Sequence, residues 1–201
     1  MSKATYFIFS AAKRLIMLLS VYLLPVGSMM QNASSSSEVL SAEGYYPVKW
    51  GEEIGSTLDN FTDALMIQNA IAPSTGSLLK DAVSANHMQY GDSMMPVDDL
   101  AAQISGQEGG SLHEYMRYWH GYLLFLKPLL LITDYVGIRI LNAVLQTALI
   151  ILVLILMRKR GLTAYILPFL LSWIAIAPWV IPCSMQLSTM YYIAMTGTAV
   201  L

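Results

Sequence analysis

The sequence is poor in cysteine and in charge, and both shortages restrict what the protein can be. Cys183 is the only cysteine among 201 residues, so the chain can form no intramolecular disulfide and no cysteine-based metal site. Charged residues make up 12% of the sequence, about half their usual share in a soluble domain. The net charge is −2, and no cluster of Lys and Arg occurs away from hydrophobic segments, which argues against nucleic acid as a partner.

Hydrophobic residues are abundant and are concentrated in blocks. They account for 56% of the chain and gather at the N-terminus and over the last third. A soluble fold of this size cannot bury so much apolar surface, whereas a helix that crosses a bilayer needs about 20 apolar residues. We therefore predict an all-α, polytopic membrane protein with a mostly helical extracytoplasmic first loop that includes interfacial helices.

The first part of the chain predicts one membrane span followed by a long outer loop. Residues 1–30 form an N-terminal transmembrane helix, a signal anchor that keeps Lys13 and Arg14 in the cytoplasm. A cleaved signal peptide is the alternative for this segment. Residues 31–137 form the extracytoplasmic loop, and its serine run at 34–37 predicts a flexible leader.

The last third of the chain, residues 138–201, predicts transmembrane helices two to four. The second span covers residues 138–157 and runs directly into three cations at 158–160. The third span covers residues 162–181 and contains two prolines that predict kinks. A fourth span is incomplete at Leu201, and we expect the chain to be the N-terminal part of a longer membrane protein.

The segment at 112–131 determines the predicted topology. Its apolar core after His120 is interrupted by a lysine and a proline and is shorter than the roughly 20 residues that cross a bilayer. If residues 118–135 crossed the membrane, the cations at 158–160 would face outward, against the usual distribution of positive charge. We therefore predict that 112–131 lies on the outer interface; the alternative is that 118–135 crosses.

Two acidic residues one helical turn apart are the first candidate site. Ser56 and Thr57 can cap a helix that begins near Leu58. Asp59 and Asp63 then share a face of that helix and can bind a divalent cation through oxygen ligands. One of the two can instead act as a catalytic general base on a hydroxyl acceptor. The alternative is that acidic residues in a first turn favour the helix dipole and have no further function.

The stretch 114–122 is the second candidate site and suits the phosphate of a membrane lipid. Arg117 can hold a phosphate through two hydrogen bonds, and His120 can carry a proton or neutralise the phosphate. Tyr115 and Trp119 suit the headgroup region of a bilayer. The alternative is an interfacial helix that these aromatic and basic residues only anchor.

The other two histidines carry little functional signal in the sequence. His87 and His113 are isolated, and no second histidine follows His113 at the spacing of a metalloprotease helix. This argues against metal binding by a histidine.

The layout of the chain resembles that of the GT-C fold membrane glycosyltransferases. These proteins have a cytoplasmic N-terminus, a first span, a large outer loop with acidic residues and interface helices, and then many spans. The segment RYWHGYLLFLKPLLL, followed by IRILN, looks like the junction between loop and second span in bacterial relatives of that group. The resemblance covers the whole chain in layout and is specific around residues 112–142.

The resemblance implies sugar transfer from a polyprenyl-phosphate donor to an acceptor at the outer face of a bacterial cell membrane. Asp59 or Asp63 would deprotonate the acceptor or hold a divalent cation, and Arg117 and His120 would neutralise the departing phosphate. The alternative is a non-catalytic envelope membrane protein whose extracytoplasmic loop binds a partner. A transporter fragment is less attractive, since the spans hold few ionisable residues.

Overall fold

The computed structural model describes residues 3–49, 56–117 and 120–200, with side chains from residue 12 onward within these ranges. The described residues are mostly helical, as predicted, with nine α-helices and a two-stranded β-ribbon. The helices are α1 (Lys3–Tyr22), α2 (Val26–Glu43), α3 (Asn60–Ile71), α4 (Leu78–Ser84), α5 (Pro96–Ser105), α6 (Leu123–Leu130), α7 (Tyr135–Lys159), α8 (Ile166–Ala175) and α9 (Met185–Val200), and the strands are β1 (His87–Gln89) and β2 (Ser111–His113).

The chain divides into two compact units, and each is discontinuous in sequence. Unit 1 comprises Met1–Ser41 and Ala64–Tyr135, and unit 2 comprises Ala42–Asp63 and Val136–Leu201. The three regions predicted from the sequence, residues 1–30, 31–137 and 138–201, are defined by their position relative to a membrane. This division into units does not test them, and they stay predictions.

Unit 1 is built around α1, which contacts both α4 and α6. Leu18 and Val21 of α1 are buried. In α6 the buried residues Leu123, Leu126 and Leu130 recur at the three- and four-residue spacing of one helical face. Full burial of such a side chain contributes roughly 1.5–3 kcal/mol. One face of α6, within the stretch predicted to lie at the membrane interface, is therefore packed inside the protein.

Helix α2 shows that the predicted flexible leader is wrong. Residues 34–37 lie inside this helix, and Ser36 is buried. The Ser36 hydroxyl donates to the Asn32 carbonyl (2.6 Å) and accepts a hydrogen bond from the Tyr135 amide (2.9 Å). Serine has only a weak helix propensity, and tertiary contacts of this kind override it. These contacts cannot be inferred from the composition of the serine run.

A short antiparallel ribbon, not predicted from the sequence, interrupts the helices of unit 1. In its register His87 lies opposite His113, and Gln89 lies opposite Ser111. Helix α5 packs against β1. Proline at its first turn and Gly106 at its C-cap, with φ of 71°, fix the ends of α5. Strands of three residues are too short to show a period-two pattern.

Unit 2 is organised by the packing of α9 against α7. The buried cluster consists of Ile150 and Val153 from α7 with Tyr191 and Met195 from α9. Helix α8 adds Trp173, whose indole nitrogen donates to the Tyr191 hydroxyl (3.1 Å). The polar tips of these two aromatic residues thus satisfy each other beside the apolar cluster.

Helix α7 confirms that a long apolar helix covers the second predicted span. Among the described residues it is the one unbroken helix that is long and apolar enough to cross a bilayer. Helices α1 and α2 would add a second if they form one broken span, since they meet at 81° across a short break. Only 17% of the most apolar 18 residues of α7 are buried.

The third predicted span, residues 162–181, is not one continuous helix. Helix α8 has 10 residues, well below the roughly 20 that cross a bilayer. It ends at Ala175, and Ala177 adopts a left-handed conformation with φ of 49°. Pro178 explains this break, because a proline disfavours the helical conformation of the preceding residue. Pro168, in the first turn of α8, is tolerated because no helical hydrogen bond needs its missing N–H.

Candidate functional site

Asp59, and not Ser56 or Thr57 as predicted, is the N-cap of α3, which begins at Asn60. One carboxylate oxygen accepts a hydrogen bond from the Thr62 amide (3.0 Å), and the other accepts one from the Thr62 hydroxyl (2.7 Å). Since α3 begins at Asn60, Thr62 is the third helical residue, where an N-cap carboxylate normally bonds. These contacts are those of the structural alternative, a carboxylate that stabilises a helix start.

Asp63 stabilises the start of a different helix, more than 100 residues further along the chain. Its side chain is fully buried within unit 2. One carboxylate oxygen accepts a hydrogen bond from the Met185 amide (2.9 Å), and the other accepts from the Gln186 amide (3.1 Å) and the Ser184 hydroxyl (3.3 Å). Because Met185 begins α9, the carboxylate lies at the positive end of that helix dipole.

A metal ion bound by Asp59 and Asp63 would need further ligands. Within the described ranges, no group of three or more His, Cys, Asp or Glu side chains is placed to hold a metal ion. The Asp63 oxygens already accept hydrogen bonds from backbone and hydroxyl donors. A hard cation such as Mg²⁺ or Ca²⁺ normally takes six or more oxygen ligands.

A partly buried ion pair in unit 2 is not evident from the sequence. The Arg139 guanidinium donates to both carboxylate oxygens of Glu43 at 2.7 Å, and its Nε donates to the Cys183 carbonyl (2.8 Å). The two side chains are only 14% and 16% exposed. Sequence separation hid the pair, since Glu43 and Arg139 are 96 residues apart. The one available signal was an arginine in the first turns of an apolar helix, where a partner is expected.

Further polar groups donate hydrogen bonds to the Glu43 carboxylate. Lys49 donates to one of its oxygens (2.9 Å), and the Asn60 amide donates to the other (3.1 Å) and to the Gly44 carbonyl (2.9 Å). Buried charges are stable only when their remaining hydrogen-bonding capacity is used. The cluster meets this condition, and it joins the ends of α2, α3 and α7 that belong to unit 2.

The second candidate site belongs to unit 1, and the structure brings part of it together. His120 is buried, and its Nε2 lies 2.5 Å from the Tyr115 carbonyl oxygen. Arg117 is exposed and lies in the turn between them. Trp119 lies outside the described residues. The residues predicted to act together are thus divided between the units, with Asp59 and Asp63 in unit 2.

The hydrogen bonds of His120 define its tautomer. A carbonyl can only accept, so Nε2 carries the proton that it donates to Tyr115. Nδ1 then accepts from the Tyr122 hydroxyl (3.2 Å), which in turn accepts from the Asn69 amide (2.7 Å). Burial lowers the pKa of His120, although the Tyr115 carbonyl acts in the opposite direction. A neutral ring whose two nitrogens are both hydrogen-bonded within the protein supplies no positive charge to a phosphate.

Lys127 is a buried cation that the sequence analysis treated only as an interruption of an apolar stretch. Its ammonium donates to the Ala70 carbonyl (2.6 Å) and lies 4.8 Å from the centre of the Tyr22 ring. Ala70 is in the last turn of α3, so the cation lies at the negative end of that helix dipole. Burial lowers the pKa of Lys127 to about 8, while Asp81 acts to raise it.

Asp81 is a carboxylate held by a turn in unit 1. Burial acts to raise its pKa, but hydrogen bonds from Ser74 and Thr75 outweigh burial, and the pKa falls below its ordinary value. The Ser74 hydroxyl and the Thr75 hydroxyl each lie 2.6 Å from one of its oxygens. Asp81 is therefore ionised at neutral pH, and its negative charge favours the protonated form of Lys127.

Comparisons with protein-family models, with curated proteins and with solved structures gave no match. Membership of the GT-C glycosyltransferases therefore stays a prediction that rests on the resemblance in layout and around residues 112–142. Any functional assignment has to come from the chain's own residues and their contacts.

We expect acid to destabilise unit 1 through His120. Its lowered pKa means that the folded state binds a proton less readily than the unfolded state, so stability is lost as the pH falls below the ordinary value of 6.5. In His120→Gln, whose amide can replace both hydrogen bonds, the apparent melting temperature should fall less between pH 7.5 and 5. Burial also lowers the pKa of His87, which therefore destabilises both proteins in acid. Only the difference between the variant and the wild type reports on His120. Equal losses in both proteins would contradict this role.

Proposed function

We propose that the chain is an integral membrane protein that α7 holds in the bilayer. The 25 residues of α7 rise about 37 Å at 1.5 Å per residue, which exceeds the roughly 30 Å of a hydrocarbon core. The core helix of a soluble protein is mostly buried, whereas 17% of the most apolar part of α7 is buried. The exposure of this apolar surface is the observation that carries the proposal.

The distribution of side chains around α7 supports a lipid environment. Its buried stripe follows a three- and four-residue spacing and includes Asn142 and Gln146, both polar. Asn142 accepts a hydrogen bond from the Tyr192 hydroxyl (3.0 Å), and the Gln146 amide donates to the Ser188 hydroxyl (2.9 Å). Polar residues of transmembrane helices bond across helix interfaces in this way. The outward face is apolar, with Ile140, Val144, Ile151 and Ile155 exposed.

The charges at the two ends of α7 suggest its orientation. Arg139 near the start is neutralised by Glu43, so it adds no free positive charge there. Arg158, Lys159 and Arg160 cluster at the other end. A cluster of cations beside a span normally faces the cytoplasm. We therefore propose a cytoplasmic end at Lys159, with residues 31–137 on the extracytoplasmic side and Lys13 and Arg14 again inside.

The finer proposal is a polytopic glycosyltransferase of the GT-C type, the N-terminal part of an enzyme that uses a polyprenyl-phosphate sugar donor. The resemblance of sequence and layout supports it. In this mechanism Asp59 is the better candidate base, since its side chain is partly exposed whereas that of Asp63 is fully buried. Asp63 contributes by fixing the start of α9. Arg117 would contact the lipid phosphate, with Tyr115 and Trp119 at the headgroup level, and His120 would hold Tyr115 in place through their hydrogen bond.

One observation favours the second candidate, a non-catalytic envelope protein whose outer loop binds a partner. Both acidic residues of the proposed catalytic pair have structural roles at helix starts. Carboxylates in such positions stabilise a fold without taking part in chemistry. In this alternative neither residue is needed for anything except folding.

The orientation predicts which side of the membrane can be labelled. In a Cys183→Ala background, Lys159→Cys should react with a membrane-impermeant maleimide only after cells are permeabilised. Glu108→Cys, at an exposed site in the loop after α5, is the control and should react in intact cells. Reaction of Lys159→Cys in intact cells would reverse the orientation and remove the support for an interfacial segment at 112–131.

Asp59→Asn separates the two candidate functions. Asparagine is as good an N-cap as aspartate, so the variant should fold and melt like the wild type, but it cannot act as a base. If the chain transfers sugar, membranes with the variant should lose roughly 10²–10⁴-fold of the transfer from a polyprenyl-phosphate-linked sugar. Full activity in the variant would remove Asp59 from the mechanism. Absence of transfer by the wild type favours the partner-binding alternative.

A further inference from the structure

The β-ribbon of unit 1 brings together two histidines that are far apart in sequence. His87 and His113 are directly opposite in the antiparallel register, with ring centres 6.1 Å apart and ring planes inclined by 40°. Side chains of directly opposite residues project from the same face of a ribbon. The His113 side chain is exposed and the His87 side chain is partly exposed.

The hydrogen bonds of the pair leave nitrogen atoms for a ligand. Nε2 of His113 lies 2.9 Å from the Ser111 hydroxyl, which leaves Nδ1 of that ring. Nδ1 of His87 is shielded from solvent and has no hydrogen-bond partner within the part of the chain that the structure describes. A shielded imidazole nitrogen without a partner costs free energy and calls for an explanation. A bound ion would supply the missing partner.

We propose that His87 and His113 together bind one divalent transition-metal ion of the kind that prefers imidazole, such as Zn²⁺, Cu²⁺ or Ni²⁺. A metal bonded at about 2.1 Å to one nitrogen of each ring brings the ring centres to roughly 5–6 Å, which is close to the 6.1 Å observed. Imidazole nitrogens are favoured ligands of these ions, and water completes the coordination of a two-histidine site.

The surroundings favour a cation at this position. The carboxylate of Asp99, buried in α5, is close enough to interact electrostatically with His113. One of its oxygens accepts a hydrogen bond from the Tyr90 amide (2.8 Å), and Tyr90 directly follows β1. The nearby Lys80 is paired with Glu114 at 3.3 Å, so its charge is partly compensated. The negative charge of Asp99 strengthens the attraction of the pair for a metal ion.

The bound ion would act as a cross-link between β1 and β2. A ribbon with three residues in each strand is marginal by itself. An ion that binds only the folded ribbon stabilises it in proportion to the logarithm of its concentration. The sequence could not predict this site, because the two ligands, His87 and His113, are far apart in the sequence and neither has a metal-binding motif beside it.

The test uses the full chain purified in detergent without metal and titrated calorimetrically with Zn²⁺. We expect about one equivalent to bind, and we expect His87→Gln and His113→Gln each to weaken binding by roughly tenfold or more, because the second imidazole then no longer binds intramolecularly. Leu112→Gln is the matched control: it places the same side chain on the same strand but on the opposite face. This control should bind like the wild type.

Electron paramagnetic resonance of the Cu²⁺-loaded protein gives a second readout. The wild type should show hyperfine coupling to two imidazole nitrogens, and each histidine variant should show coupling to one. Circular dichroism of the metal-free variants checks that they keep the wild-type helix content. Binding that neither histidine variant weakens, or the lack of any saturable binding by the wild type, would overturn the proposal. Neither result bears on whether α7 spans a membrane.

Discussion

The exposed apolar surface of α7 is the constraint on which the rest of unit 2 depends. A surface of this size is unfavourable in water, and removing it from water is worth roughly 25 cal/mol per Å². In a bilayer the same surface needs no protein cover, and the polar side chains become the groups that need partners. Asn142 and Gln146 accordingly turn toward α9, where hydroxyl groups meet them. The two polar side chains thus lie on the face of α7 that contacts protein, together with the apolar Ile150 and Val153.

Buried charges in both units follow a second rule, since each lies at a helix end or opposite a charge of the other sign. Asp63 accepts hydrogen bonds from the N-terminus of α9, and Lys127 donates to the C-terminus of α3. Arg139 forms a two-pronged ion pair with Glu43. A buried charge without such partners costs several kcal/mol. These contacts explain why so apolar a chain tolerates charges in its interior, and they give structural roles to residues that otherwise suggest catalysis.

Local signals in the sequence predicted the elements that depend on local interactions. The long apolar stretch was sufficient to predict α7. These local signals did not predict the structure where contacts between distant residues determine it. Ser36 is helical because Tyr135 contacts it, and the start of α9 is fixed by Asp63. For the candidate site, the sequence correctly indicated a helix after Asp59, but neither Glu43 opposite Arg139 nor His87 opposite His113 could be inferred without the fold.

The most direct test of a bilayer-embedded α7 is the environment of its exposed face. A nitroxide label at Val144, which is 61% exposed, can be introduced as Val144→Cys in a Cys183→Ala background and reconstituted into lipid vesicles. Relaxation of the label by oxygen, which concentrates in hydrocarbon, is compared with relaxation by a water-soluble nickel chelate. The account predicts strong relaxation by oxygen and weak relaxation by the chelate. Strong relaxation by the chelate would place this face of α7 in water and contradict it.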